Sequence, residues 1–271
     1  MQEKHWQTEI SFTTEDEIRV RGYNLVEMMG AVPFTSAVHL IITGELPSPK
    51  VAKLIDALMV ASIDHGAGTP SVLAARTVAS GGASVKNAAT AGFLALDTSH
   101  GAAVESCMTV LGQLVKLTDG VTASTDKEKI TSEFINQEKN AGRKIIPGFG
   151  HRQHPHDPRV DKLFQMALEA DVEGKFIDAA GMISKVLSDK AGKELPINID
   201  GAMAAILSEL NYPLGLGNAP FLIARLTSLL VHAHEEINKM PRMRRIDPVD
   251  FSYSGVEARE LPIQSNDTFK E

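Results

Sequence analysis

The chain has 271 residues, 43 % of them hydrophobic and 23 % charged, with a formal net charge of −7 at neutral pH. That length can bury a sizeable core as one large domain or two modest ones, and the composition is that of a soluble globular protein. The acidic balance leaves no Lys/Arg stripe for a nucleic-acid backbone, although a few placed arginines suffice for an anionic metabolite. The single cysteine, Cys107, excludes an internal disulfide and fits a reducing cytoplasm. Met1 to Phe12 lacks the basic-then-apolar order of a signal peptide. The longest apolar run, Ala219 to Val231, is interrupted by Arg225, Thr227 and Ser228, and falls short of the roughly 18 residues that cross a bilayer. A cytoplasmic protein with neither a nucleic-acid nor a membrane partner is expected.

Gln7 to Phe12 and Glu17 to Arg21 alternate apolar and polar residues, which predicts two short strands or extended arms. Almost everything after them reads as helix. Val51, Leu54, Ile55, Leu58 and Met59 form one apolar face; Val104, Cys107, Met108, Leu111, Leu114 and Val115 form another; Phe176, Ile177, Ala180, Ile183 and Leu187 a third. Short breakers separate them at Gly44 to Pro47, Gly66 to Pro70, Gly81-Gly82 and Tyr212 to Gly217. Many helices with short connections imply an all-α fold. The polar segment Asp119 to Lys129 and the Gly/Pro-rich segment Tyr212 to Pro220 are the candidate domain edges. Alanine and glycine cluster from Ala61 to Ala103 around His65, Arg76 and His100, which predicts a dense interior. Phe221 to Ile237 is apolar nearly all round until His232, so it is expected to be buried. On such a helix Arg225 is costly unless it meets an anion.

The richest chemistry lies between Lys144 and Arg159. Gly148 and Gly150 let backbone approach a ligand, while Pro147, Pro155 and Pro158 hold the loop in shape. Asp157 before Pro158 reads as a helix N-cap, with Val160, Leu163, Phe164 and Ala167 facing inward and Arg159 at an anion-favouring helix start. His151, His154, His156 and Asp157, and later His232, His234, Glu235 and Glu236, superficially offer metal ligands. Their spacing matches no zinc pattern, so no metal is assigned. Gly215-Leu216-Gly217 lacks the third glycine of a dinucleotide loop, and no phosphate loop or nucleophile elbow occurs. Asp200 follows Pro196-Ile197 and precedes an Ala/Leu helix, a position shielded enough to make a carboxylate basic. Read alone, Asp200 is a helix N-cap; read with His100, His151 and the arginines it becomes a candidate for enolising a thioester. That reaction needs a base at carbon together with a donor at the carbonyl oxygen.

Ile18 to Tyr23, Gly44-Glu45-Leu46-Pro47, Asp64-His65, Ser99-His100-Gly101-Ala102, Pro147-Gly148-Phe149-Gly150-His151-Arg152 with Asp157-Pro158-Arg159, Asn198-Ile199-Asp200, and Arg225 in an apolar helix resemble citrate synthases, in order, over roughly Ile18 to Gly255. The resemblance implies a multi-helical fold with a large domain formed by residues 1–100 and 213–271 and a smaller inserted domain, 101–212, that closes over the site. It implies a homodimer or higher homo-oligomer. It also implies that Lys144, Ile145, Ile146, Pro147, Gly148, Phe149 and Gly150 receive coenzyme A, and that His100, His151 and Asp200 are catalytic. His65, Arg152, Arg159 and Arg225 would hold the oxaloacetate or citrate portion. The CoA thioester is a substrate, with no tightly bound cofactor expected.

Two departures from the synthase pattern point within the family. Ser48 to Ile63 is far shorter than the stretch synthases carry there, and the synthases' late arginine before a proline appears as Asp247 before Pro248, with Arg244 and Arg245 upstream. Both features resemble the short citryl-CoA lyases, including the carboxyl-terminal module of ATP-citrate lyase, whereas His100 is of the synthase type. Three readings follow: a citryl-CoA lyase, a minimal citrate or methylcitrate synthase, and a non-catalytic CoA or dicarboxylate binder. A lyase would draw on a separate citryl-CoA-forming subunit, because this chain has no loop for nucleotide phosphates.

Overall fold

The computed structural model describes residues 6–143, 145–150 and 157–260. At the N-terminus, β1 (Ser11–Thr13), β2 (Ile18–Val20) and β3 (Tyr23–Asn24) form an antiparallel sheet in that order, with Ser11 opposite Val20 and Arg19 opposite Asn24. The alternation from Gln7 overstates the first strand. It also misses the third, which is too short to carry a period.

The rest is helical: α1 (Leu25–Met28), α2 (Phe34–Thr43), α3 (Pro49–Ser62), α4 (Pro70–Ser80), α5 (Val85–Leu94), α6 (Val104–Leu117), α7 (Ser124–Asn140), α8 (Pro158–Glu169), α9 (Lys175–Ala191), α10 (Ile199–Glu209) and α11 (Ala219–Lys239). Local chemistry sets their ends. Ser48 and Ser84 accept backbone N–H groups at the starts of α3 and α5, proline opens α3, α4 and α8, and Gly44 ends α2 at φ +91°. The polar segment expected as a domain edge is partly helix, since α7 begins at Ser124.

Helix α10 occupies the centre, with Gly201 through Ser208 buried all round. Its small residues let α6, α8 and α9 pack closely on it, and α3 also touches it. Helix α11 packs on α3, α4 and α5. Its buried residues, Phe221, Ala224, Arg225, Leu229, Ala233 and Glu236, recur at intervals of three to four and so form one stripe.

That stripe corrects the expectation that this helix is buried throughout. Val231 is 63 % exposed, and Leu226, Leu230 and Ile237 also face out. By length and composition alone the run 214–239 could cross a membrane. Its packed stripe, which includes the charged Arg225 and Glu236, is what a core helix shows.

Candidate active site

A cavity of about 480 Å³ brings together His65, His100, Gly150, Arg159, Asp200 and Arg225. They arrive from separate elements: His65 from the turn between α3 and α4, His100 from the loop before α6, Arg159 and Asp200 from the first turns of α8 and α10, and Arg225 from the second turn of α11. Lys144, His151, Arg152, His154 and His156 lie outside the described residues.

His100 sits in a tight turn where Asp97 N donates to His100 O (3.0 Å) and His100 N to Asp97 O (2.7 Å). Its Nε2 receives the backbone N–H of Ser71 at 3.3 Å and lies 2.9 Å from Ser71 Oγ. A backbone N–H can only donate, so Nε2 accepts and the ring proton sits on Nδ1. In that tautomer Nε2 faces Ser71 and the N–H lies on the opposite ring nitrogen. Ser71, fully buried, is absent from the sequence reading. Nothing in its local pattern joins it to a histidine 29 residues away; its one signal is its place behind Pro70 at a helix start.

The cap of α10 is Asn198, whose side chain accepts Gly201 N at 3.2 Å. This overturns the N-cap reading of Asp200, which is the second helical residue. Asp200 Oδ1 is closed off from solvent and has no hydrogen-bond partner among the described residues. Burial pushes its carboxyl from the ordinary 3.8 up to about 6; Arg159 and Arg225 pull it back, and Asp157 adds to the rise.

The glycine loop is pressed onto the start of α10. Asn198 N donates to Gly148 O (3.0 Å), Gly150 N to Pro196 O (2.7 Å), and Asn198 Nδ2 to Gly150 O (2.9 Å). Gly148 has φ +88°, and a Cβ there would lie 2.5 Å from Cys107 Sγ and 2.8 Å from Gly201 Cα. A Cβ on Gly201 would in turn collide with Gly148 O. Ile146 and Phe149 anchor the loop in the core, whereas Ile145 is 76 % exposed. On the described part of the loop, Ile145 and backbone rather than the Ile146 and Phe149 side chains are accessible to a ligand.

Arg159 grips Asp157 with two prongs, Nε to Oδ1 at 2.9 Å and Nη2 to Oδ2 at 2.7 Å, and Nη1 donates to Ala61 O at 3.0 Å. Asp157 Oδ1 also accepts Arg159 N at 3.1 Å, which is the N-cap expected from the sequence. Arg225, 2 % exposed, donates Nε to Ser62 O at 3.0 Å and stacks 4.9 Å above the Phe221 ring. Burial lowers its pKa, while Asp64 and Asp200 favour its charge and Arg159 opposes it. A guanidinium stays charged even so. Two fixed cations facing a shielded carboxylate suit a multiply charged carboxylate ligand.

The second cluster that superficially offers metal ligands is committed elsewhere. Glu235 and Glu236 pair with Arg76 at 2.9 and 2.7 Å, and Arg244 joins Glu236 at 2.8 Å. Arg244 does not line the cavity.

The model for the citrate synthase C-terminal domain matches residues 47–246. The chain belongs to the citrate synthase family. A family relative of known structure, the citryl-CoA lyase from Hydrogenobacter thermophilus, is 34 % identical at a TM-score of 0.84, covering 96 % of this chain and 98 % of that one. The ATP citrate lyase from Methanosaeta concilii, in complex with (3S)-citryl-CoA, shares the fold at a TM-score of 0.80 and 17 % identity, over 95 % of this chain and 43 % of that one. The glyoxysomal citrate synthase of Cucurbita maxima is 28 % identical over 200 residues, 71 % of this chain and 36 % of that protein. The chain thus spans well under half the length of that curated citrate synthase. Within the family, the cavity residues come from the matched region.

Proposed function

We propose that the protein is a citryl-CoA lyase that cleaves citryl-CoA to acetyl-CoA and oxaloacetate. The observation that carries the chemistry is the buried, unpartnered Asp200 Oδ1 in one cavity with His100 and two arginines. The near full-length correspondence with the Hydrogenobacter thermophilus lyase supports the direction.

His151 takes the proton of the tertiary hydroxyl as that oxygen becomes the ketone of oxaloacetate. The carbon–carbon bond breaks, and its electron pair moves into the thioester as an enolate. His100 Nδ1–H donates to the enolate oxygen, while protonated Asp200 delivers its proton to the terminal carbon. With a pKa of about 6, about one tenth of Asp200 is protonated at pH 7, so the residue can act in either direction. His65, Arg152, Arg159 and Arg225 hold the carboxylates. The backbone of 144–150 receives coenzyme A.

In this reading residues 1–100 and 213–271 form the large domain and 101–212 the small one, closing over the cavity to exclude water. The protein acts as a homodimer or higher homo-oligomer, with the exposed face of α11 available for assembly. A separate subunit supplies citryl-CoA.

The resemblance in sequence to citrate synthases favours a second reading, condensation with release of free citrate. Incubating the pure protein with citryl-CoA, and separately with oxaloacetate plus acetyl-CoA, decides between them. Cleavage without net formation of free citrate supports the lyase; free citrate and free CoA from the second mixture support the synthase. If neither mixture reacts, the catalytic reading falls.

A further inference from the structure

We infer that His232 is a positioning residue: it holds the Asp64–Gly66 turn, and with it His65, in register with the cavity through a hydrogen-bond chain that starts in the C-terminal segment. The inference rests on reading the cavity as a carboxylate site.

The chain begins where Met243 N donates to Ser80 O (2.9 Å) and Arg244 N to Ser80 Oγ (3.1 Å), tying the C-terminal segment to the end of α4. Arg244 then holds the buried Glu236 through Nε and Nη2, both at 2.8 Å. Arg76 Nε donates to the same carboxylate at 2.7 Å. The Arg76 side chain is nearly buried, so its remaining donors have few places to go. Its Nη1 reaches Glu235 at 2.9 Å and His232 Nδ1 at 3.2 Å.

Direction follows from what each group can do. A guanidinium only donates, so His232 Nδ1 accepts and the ring proton sits on Nε2. That nitrogen lies 3.2 Å from Asp64 Oδ1 and donates to it. The other oxygen of Asp64 accepts Gly66 N at 3.2 Å. Asp64 therefore pins the turn at both ends of His65, and His232 pins Asp64. Burial opposes ionisation of Asp64, yet the N–H groups of Gly66 and His65 together with His232 outweigh it and hold the carboxyl below its ordinary value.

On α11, His232, Glu235 and Glu236 share one face at intervals of three and four. A solvated charged face would not bury Arg76 and Glu236, which are 6 % and 2 % exposed. Of this chain, only the far end touches the cavity, through His65 and Gly66. His232 thus acts through Asp64 and not on substrate.

Two substitutions test this. His232→Leu keeps bulk and loses both hydrogen bonds, whereas His232→Gln keeps an acceptor toward Arg76 and a donor toward Asp64. For His232→Leu, the KM for oxaloacetate should rise about tenfold, as for loss of one hydrogen bond to a charged group. The KM for acetyl-CoA and kcat should stay within about twofold. His232→Gln should recover most of the loss, and Asp64→Asn combined with His232→Leu should be no worse than either alone. Asp64→Asn carries the test if His232→Leu does not fold.

Calorimetric titration with oxaloacetate separates the two levels of inference. Wild type binding it while His232→Leu binds equally well overturns the role of His232 and leaves the cavity reading standing. No binding by wild type overturns both.

Discussion

Replacing Asp200 by asparagine should make the protein more stable while cutting turnover about a hundredfold or more. The carboxyl of Asp200 is raised from 3.8 to about 6 by burial, so the folded state binds its proton more tightly than the unfolded chain does. Well below pH 3.8 the residue is protonated in both states and costs nothing. As pH rises toward 6 the unfolded chain ionises first and wild-type stability falls. Above about 6 the cost is constant. At about 1.4 kcal/mol per pH unit the plateau is about 3 kcal/mol, or about 5 °C in Tm for a chain of this length.

The asparagine side chain cannot ionise, so the stability gap between Asp200→Asn and wild type should be near zero at about pH 3, open through about pH 5 and level off above about pH 6.5. Urea unfolding at half-unit intervals of pH measures that gap directly. A gap independent of pH, or a variant less stable than wild type at about pH 8, would refute the burial argument. The same residue sets the rate profile. Condensation needs the carboxylate and should rise with pH through about 6, whereas cleavage needs the acid and should decline there. The variant should lose about a hundredfold or more in either direction.

Gly148→Ala should lose at least about 2 kcal/mol, because the new methyl meets both Cys107 and Gly201 at a positive φ; urea midpoints measure this, and wild-type stability would contradict the close approach. Arg225→Met removes one of the two cations that lower the Asp200 pKa, so the inflection in rate should move upward from about 6. Its affinity for oxaloacetate should drop about a hundredfold, measured by calorimetry. Ser71→Ala removes one contact to His100 but keeps the backbone donor. It should lower kcat about tenfold with little change in KM, read by steady-state kinetics.

Local features were legible in the sequence because their causes are local. Asp157, Pro158 and Arg159 announced a helix start through cap chemistry, and the structure places that cap as expected. The helical periods of α3, α6 and α9 were equally plain. Errors arose where a partner elsewhere in the chain decides the outcome. Composition makes α11 look apolar on every side, but only the face toward α3, α4 and α5 is covered. Asp200 resembled a cap, but the helix starts two residues earlier, where Asn198 accepts the N–H of Gly201, so Asp200 falls inside the first turn. Ser71 and the Arg76–His232–Asp64 chain are contacts between distant segments, and no spacing rule encodes them. His65, His100, Arg159, Asp200 and Arg225 were selected individually, and the fold supplies their convergence.

Cys107 lies fully buried beneath Gly148, and burial together with the charge of Asp200 raises its thiol pKa. The thiolate is the reactive form, so the one native sulfhydryl is inert while the protein stays folded. This gives a practical handle for spectroscopy. A cysteine placed at the exposed Ile145, as Ile145→Cys, could take a maleimide dye against a silent background. Its emission would then report on whatever seats itself over the glycine loop.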